Sequence, residues 1–214
     1  YSLRHVNHAL KEDEEAREKV NEVLSDTNHQ FNGTVEVKHF ASVLVDDLGL
    51  HRVTGKIERP LKGLTVAGHT GCHIVSPPEI MAFDDPFDPQ VLDSMVTALG
   101  SAPANFDLKT LCCGWTLTNY GDKDGADKLL SAKLKAMYNA RSDCITVICP
   151  QCFYQFDMGQ LLTSRRLGLE FKVPVMFYLQ LLGLAMGYTF EEIGLKRHRT
   201  MSSGFKEKIL EVLR

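Results

Sequence analysis

The sequence predicts an α/β fold, a layered sheet with flanking helices, on three observations. Two short apolar runs, Leu64–Ala67 and Ile145–Ile148, read as buried strands. Segments with apolar residues at helical spacing lie between and around them. The chain order is strand, helix, cysteine loop, helix, strand, helix, which is the pattern of a layered α/β arrangement.

The elements follow in order along the chain. Ala16, Val20, Val23 and Leu24 recur at helical spacing, while Asp13→Arg17 and Glu15→Lys19 supply i,i+4 pairs, so the N-terminal segment reads as one charged helix. Asn32-Gly33 marks a turn, Val35-x-Val37 a short strand, and Phe40, Val43, Leu44 and Leu48 a helix. His51 to Lys62 reads as a connection. After the Leu64–Ala67 strand comes the loop Gly68 to His73. Asp88-Pro89 reads as a helix start, with an N-cap and a proline at the first helical position. Val91, Leu92, Met95, Val96 and Leu99 carry that helix to Gly100, a natural residue just past a helix end. Ala126, Leu129, Leu130, Leu134, Met137 and Tyr138 form the next amphipathic helix. The second strand ends in Cys149-Pro150-Gln151-Cys152.

A loose internal repeat accompanies this order. Tyr154-Gln155-Phe156 resembles Tyr1-Ser2-Leu3, and Val173, Met176 and Leu179 match Val37, Phe40 and Val43. In each copy a helix precedes a short strand and a second helix.

Composition narrows the function classes. The 214 residues carry a net charge of −3, which argues against a general nucleic-acid binder. No stretch approaches the roughly 18–20 apolar residues of a bilayer span, the best being Leu179 to Tyr188. The chain opens Tyr1-Ser2-Leu3-Arg4-His5 without a signal peptide, an opening expected of a fragment.

The six cysteines carry the chemistry. Cys72, Cys112, Cys113, Cys149 and Cys152 fall in loops or at strand ends, spaced Cys72-x39-Cys112-Cys113-x35-Cys149-x2-Cys152. Their clustering favours a reduced compartment with metal or redox chemistry over a disulfide framework. A structural zinc ion takes four ligands in a tetrahedron, so five thiols are one too many. Buried unliganded cysteines would show no such pattern. An iron–sulfur cluster has several irons, and adjacent thiolates can bind different irons or bridge two. Cys144, at a strand start, stands outside the pattern and reads as a buried structural cysteine.

These residues resemble the cysteine-rich "CCG" domain of the B-type subunit of heterodisulfide reductase and its relatives. The flanking text agrees: Gly71-Cys72-His73, Phe83-Asp84-Asp85-Pro86, Leu92-Asp93 and Gln155-Phe156-Asp157-x-Gly159-Gln160. The resemblance covers essentially the whole chain. It implies a catalytic iron–sulfur subunit that reduces a disulfide of the CoM-S-S-CoB type, or a related sulfur substrate, in one-electron steps. It also implies one noncubane 4Fe–4S cluster held by the five cysteines, with a second in the full-length protein. Expected partners are an iron–sulfur electron-donor subunit (C type) and a flavin-containing subunit (A type). The expected location is the cytoplasm, with peripheral membrane attachment through partners. Residues 1–60 then read as the remainder of a first CCG repeat plus a connection, and residues 61–214 as a complete CCG domain. The alternative is an electron-transfer or scaffold CCG subunit of an oxidoreductase working on succinate, fumarate, lactate or glycerol 3-phosphate.

The chain departs from the family pattern in two respects. Only one set of cluster cysteines is present. Trp115-Thr116-Leu117-Thr118-Asn119 replaces the glycine-rich run that often follows Cys113-Gly114 in methanogen-type members, which leaves the disulfide open. His73, next to a ligand, is the candidate catalytic proton donor, with a hydrogen bond behind the cluster as the plainer role. Gly71 and Trp115 are the candidate substrate-binding residues, although Trp115 could equally shield the cluster from water. His5, His8, His29, His39, His51 and His198 show no ligand spacing.

Overall fold

A computed structural model describes residues 1–170 and 172–214. A parallel sheet of strand order β2-β1-β3-β4 organises it. Helices α1 (Ser2–Glu12) and α2 (Glu14–Ser25) come first, then α3 (Phe40–Ser42), which runs into a π-helical turn Val43–Asp47, and α4 (Leu50–Thr54). Strand β1 (Thr65–His69) leads through α5 (Pro78–Met81) and α6 (Val91–Ala98) to the two-residue β2 (Ala102–Pro103). Next come α7 (Trp115–Asn119), α8 (Lys123–Asn139) and β3 (Cys144–Val147). Helix α9 (Pro150–Tyr154) continues through a π turn, Gln155–Gly159, into α10 (Gln160–Leu167). Strand β4 (Val175–Phe177), α11 (Tyr178–Ala185) and α12 (Ser203–Val212) close the chain.

The period of two along each strand splits the core into two layers. Val66, Cys144 and Met176 point to one side, where Leu92, Met95 and Val96 of α6 and Leu99 just after it meet Leu181 and Leu184 of α11 and Phe205 and Ile209 of α12. Ala67, Ile145, Val147 and Val175 point to the other, onto Leu130, Leu134 and Met137 of α8 and Phe156 of the π turn. Strands β1, β3 and β4 thus have both faces covered, as parallel sheets require, while the short edge strand β2 is exposed. Ala41 and Val53 join the first layer, so the chain before residue 60 also contributes to this core.

Buried polar groups are tied down where the core needs them. Tyr178 is fully buried, and its hydroxyl donates to the Met95 carbonyl at 3.1 Å. Asp157 accepts from the backbone N–H groups of Arg199 and Thr200 and from the Thr200 hydroxyl, at 2.8–2.9 Å. Gln160 both donates to and accepts from the Val173 backbone, at 3.0 and 2.8 Å. These bonds fix the α9–α10 segment against the chain on either side of β4.

Several elements differ from the sequence expectation. The N-terminal segment breaks into two helices because Asp13 caps α2, accepting from Ala16 N–H at 2.9 Å, and Arg17 pairs with Glu14 instead. Glu15–Lys19 forms as expected. Val35 to Val37 is irregular chain: it has no strand beside it to pair with, and Val37 turns to a cavity wall. The repeat therefore has a strand in its second copy only. His51 to Thr54, the start of the expected connection, belong to helix α4, because Leu50 and Val53 pack into the core. Asp88 does not cap α6; the Asp84 carboxylate does, accepting from Val91 N–H at 2.7 Å. Asp88 N–H is held instead in the turn built on Asp85. Tyr138 is exposed, at the solvent edge of α8.

Leu134 is fully buried between α8 and the sheet. Leu134→Ala should lower the unfolding free energy by about 2–5 kcal/mol, read from urea denaturation. A loss well under ~1 kcal/mol would show that the second core layer can collapse around the gap.

Candidate metal centre

Strand ends deliver the cysteines. Cys72 follows β1 through Thr70-Gly71, and Cys149 follows β3 as the N-cap residue of α9 with Pro150 at its first position. Gly71 has φ +86°, and a Cβ there would lie 3.6 Å from Cys152 Sγ and 3.8 Å from Cys149 Cβ. The bare glycine lets the loop pass over the α9 cysteines. Cys112 and Cys113 sit between β2 and α7, and Gly114, φ +86°, completes their turn. A Cβ at Gly114 would meet the Ala126 carbonyl oxygen at 3.0 Å, so this turn packs directly on the α8 backbone.

The five cysteines of the spacing pattern, Cys72, Cys112, Cys113, Cys149 and Cys152, all line one cavity. Cys113 Sγ lies 3.5 Å from Cys152 Sγ. Cys144 is fully buried on the opposite face of the sheet and takes no part. The same one-residue alternation that turns Ile145 towards the cysteines turns Cys144 away.

Without a metal, the sulfurs share their protons unevenly. Hydrogen bonds from Cys113 and Cys72, helped by Gly114 N–H, hold Cys112 as a thiolate, down at about 2. The Cys152 thiol and the N–H groups of Cys152 and Gln151 hold Cys149 down at about 6. The donors move the other way: Cys113 is pushed up to about 11 by its bond to Cys112, and Cys72 and Cys152 also rise. Burial pushes Cys144 up.

Two residues that sequence reasoning passed over complete the centre. His69, the last residue of β1, is 3 % exposed and stands edge-on to Phe156. A ligating nitrogen of its ring lies within 4.8 Å of Cys113 and Cys152 Sγ, and its Nδ1 is buried without a hydrogen-bond partner. The signal was available: strand alternation puts His69 on the same face as Ala67, towards the cysteines. Lys133 of α8 is fully buried, donating to the carbonyls of Lys109 and Leu111 at 2.7 and 2.6 Å. Burial pulls its ammonium down to about 8, while the cysteine thiolates pull it back up. Leu130, Lys133, Leu134 and Met137 share one helix stripe, where a lysine is out of keeping with its neighbours.

A cavity of about 630 Å³ opens over the sulfurs. Gly71, His73 and Trp115 all line it, together with Tyr1, Arg4, Lys38 and His39. His73 is exposed and stacks on Tyr1, ring centroids 4.3 Å apart, and its charge also lowers Cys149. Trp115 stands edge-on to Tyr154 at 5.0 Å. His39, ordinary by spacing, bonds the Ile148 carbonyl at 3.1 Å. The described lining includes no carboxylate.

The profile of a family described as a cysteine-rich domain, CCG, matches residues 66–157. The sequence is 34 % identical over 215 residues to the B subunit of the ferredoxin/F(420)H(2)-dependent CoB-CoM heterodisulfide reductase of Methanosarcina acetivorans, covering 99 % of this chain and 70 % of that one. It is 33 % identical over 214 residues to the B subunit of the ferredoxin:CoB-CoM heterodisulfide reductase of Methanosarcina mazei, with the same coverage. It is 29 % identical over 186 residues to the 8-methylmenaquinol:fumarate reductase membrane anchor subunit of Wolinella succinogenes, covering 87 % of this chain and 64 % of that one. Among solved structures, a hypothetical protein from Helicobacter pylori shares the fold, with a TM-score of 0.69 at 14 % identity. That match covers 94 % of this chain and 36 % of the other.

In metal-free protein at pH 7, iodoacetamide should label Cys149 well ahead of Cys144, by peptide mapping. Cys149 titrates at about 6 rather than the ordinary 9.0, so its labelling should fall as the pH drops through about 6. Equal rates at the two cysteines would contradict this electrostatic description.

Proposed function

This chain belongs to the family of heterodisulfide reductase B subunits, and from that premise we propose that it is a catalytic iron–sulfur subunit reducing a disulfide. The observation that carries the proposal is the convergence of five cysteines on one cavity, with Cys113 and Cys152 Sγ 3.5 Å apart. Five thiols exceed the needs of a tetrahedral ion and suit a group with several metals. The partnerless Nδ1 of buried His69 beside Cys113 and Cys152 also fits a polar group in that space. Cys72, Cys112, Cys113, Cys149 and Cys152 would hold a noncubane 4Fe–4S cluster. Such a cluster supplies electrons singly and an exchangeable position for a sulfur ligand.

The chain's own residues account for the rest. Reducing one disulfide to two thiols consumes two electrons and two protons. His73 sits at the cavity rim, next to Cys72, where it can give a proton to a departing thiolate. Gly71, at φ +86°, turns the loop over Cys149 and Cys152, and Trp115 forms an apolar wall that excludes water. Arg4 in the wall suits a disulfide carrying an anionic group, whereas the Lys38 ammonium is already paired with Asp47 and Glu36 at 2.7 and 3.3 Å. The electrons would come from a C-type iron–sulfur partner, fed by a flavin-containing A-type partner. No described helix is long and apolar enough to cross a membrane.

The relative named as a fumarate reductase membrane anchor subunit supports a second reading, in which the chain relays electrons or acts as a scaffold. The two readings separate on one measurement. A substrate disulfide that perturbs the EPR signal of the bound cluster marks a catalytic site, whereas a signal indifferent to disulfides and thiols marks a relay.

Anaerobically prepared protein should carry roughly four irons with matching acid-labile sulfide per chain. Cys112→Ser or Cys149→Ser should abolish or convert the spectrum, and Cys144→Ser should leave it intact. Stoichiometric zinc without sulfide would overturn the cluster. In the complete complex, His73→Ala should slow turnover by about 100-fold or more while the resting spectrum stays nearly unchanged. Wild-type turnover in that variant would remove His73 from proton delivery.

A further inference from the structure

We propose that Lys133 is the internal countercharge of the thiolate centre and sets the reduction potential of the cluster held there. The proposal rests on the cluster reading above and extends it to a residue outside the cysteine motif. Lys133 lies in the apolar stripe of α8, fully buried between Leu130 and Met137. An ammonium in such a place needs both hydrogen-bond acceptors and a negative charge. The Lys109 and Leu111 carbonyls supply the acceptors, at 2.7 and 2.6 Å. No described carboxylate forms an ion pair with it. The Leu111 carbonyl that it holds immediately precedes Cys112 in the chain, so the ammonium lies directly behind the Cys112–Cys113 pair, and the Cys112 thiolate acts on it favourably.

The Asp93 carboxylate is taken by the Lys109 ammonium. That pair sits one step out, so the Lys109 backbone meets Lys133 while its side chain meets Asp93. The carbonyls held by Lys133 belong to the loop that delivers Cys112 and Cys113, so the lysine both positions that loop and places a fixed positive charge behind it. An electron added to the centre raises its negative charge, and a nearby buried cation stabilises the reduced form more than the oxidised one. Lys133 has no exposed surface, so solvent screens the effect only weakly.

A merely structural role predicts something different, and three variants separate the two. Lys133→Gln keeps a donor for one loop carbonyl and removes the charge. Lys133→Met removes both, and Lys133→Arg keeps both. Each would be made in the full, anaerobically purified complex, with iron and sulfide counted and the cluster titrated by EPR against a set potential. If Lys133 is the countercharge, the Gln and Met variants titrate at a more negative potential than wild type and Arg stays close to it. Loss of the cluster from Gln and Met but not from Arg would equally support a requirement for charge. A wild-type potential in the Gln variant, or loss of the cluster from all three, would reduce Lys133 to a loop anchor and overturn the proposal. Wild-type protein without iron or sulfide would instead bring down the cluster reading itself.

Discussion

β1 and β3 lie side by side in parallel, paired from Val66↔Cys144 to His69↔Val147, and the chain leaves them in opposite directions. From β1 it runs outward to β2, and from β3 outward to β4. Connections that diverge in this way open a crevice beyond the carboxyl ends of the two strands, the usual place for a ligand in an open parallel sheet. Cys72 comes just after the end of β1 and Cys149 just after the end of β3, so they arrive at the same crevice from adjacent strands. The α8 stripe on Ala67, Ile145 and Val147 holds the strands level, and the position of every other group at the site follows from that register.

Bringing the five cysteines to one cavity requires tight turns in the loops that carry them. Gly71 and Gly114 both sit at positive φ, and at Gly114 a Cβ would also stand 3.0 Å from the Ala126 carbonyl oxygen. Alanine at either position would carry dihedral strain, and at Gly114 it would also push against the α8 backbone. The sulfurs then set one another's protonation. Thiolates at Cys112 and Cys149 alternate with donating thiols, so metal binding would have to displace protons from Cys72, Cys113 and Cys152.

The helical segment that begins at Cys149 is anchored at its far end as well. Asp157 and Gln160, both buried, bind backbone on either side of β4 and so stop the segment from sliding along the sheet. Lys133 does the corresponding work for the Cys112–Cys113 loop from the α8 side. Both cysteine-bearing segments are thus held by buried polar side chains from outside the cysteine pattern.

Much of this was legible in the sequence. Short buried strands, the α8 stripe and the Cys149-Pro150 helix start depend on local periodicity and on proline and capping geometry, which act within a few residues. The cysteine spacing separated the five convergent sulfurs from Cys144 because strand alternation is also a local rule. Other features were not legible. Asp88 looked like a cap, but Asp84 holds the helix, since which carboxylate reaches an N–H depends on how the loop folds. Val35 and Val37 have strand-like residues and no strand, because a strand needs a neighbour to pair with. His69 and Lys133 reach the cysteines across the fold, from a strand end and from a helix whose own neighbours are apolar. Periodicity, spacing and the cysteine pattern were determined by the sequence itself; the countercharge, the unpartnered imidazole and the cavity above them were decided only by tertiary packing, because each depends on atoms brought together from distant parts of the chain.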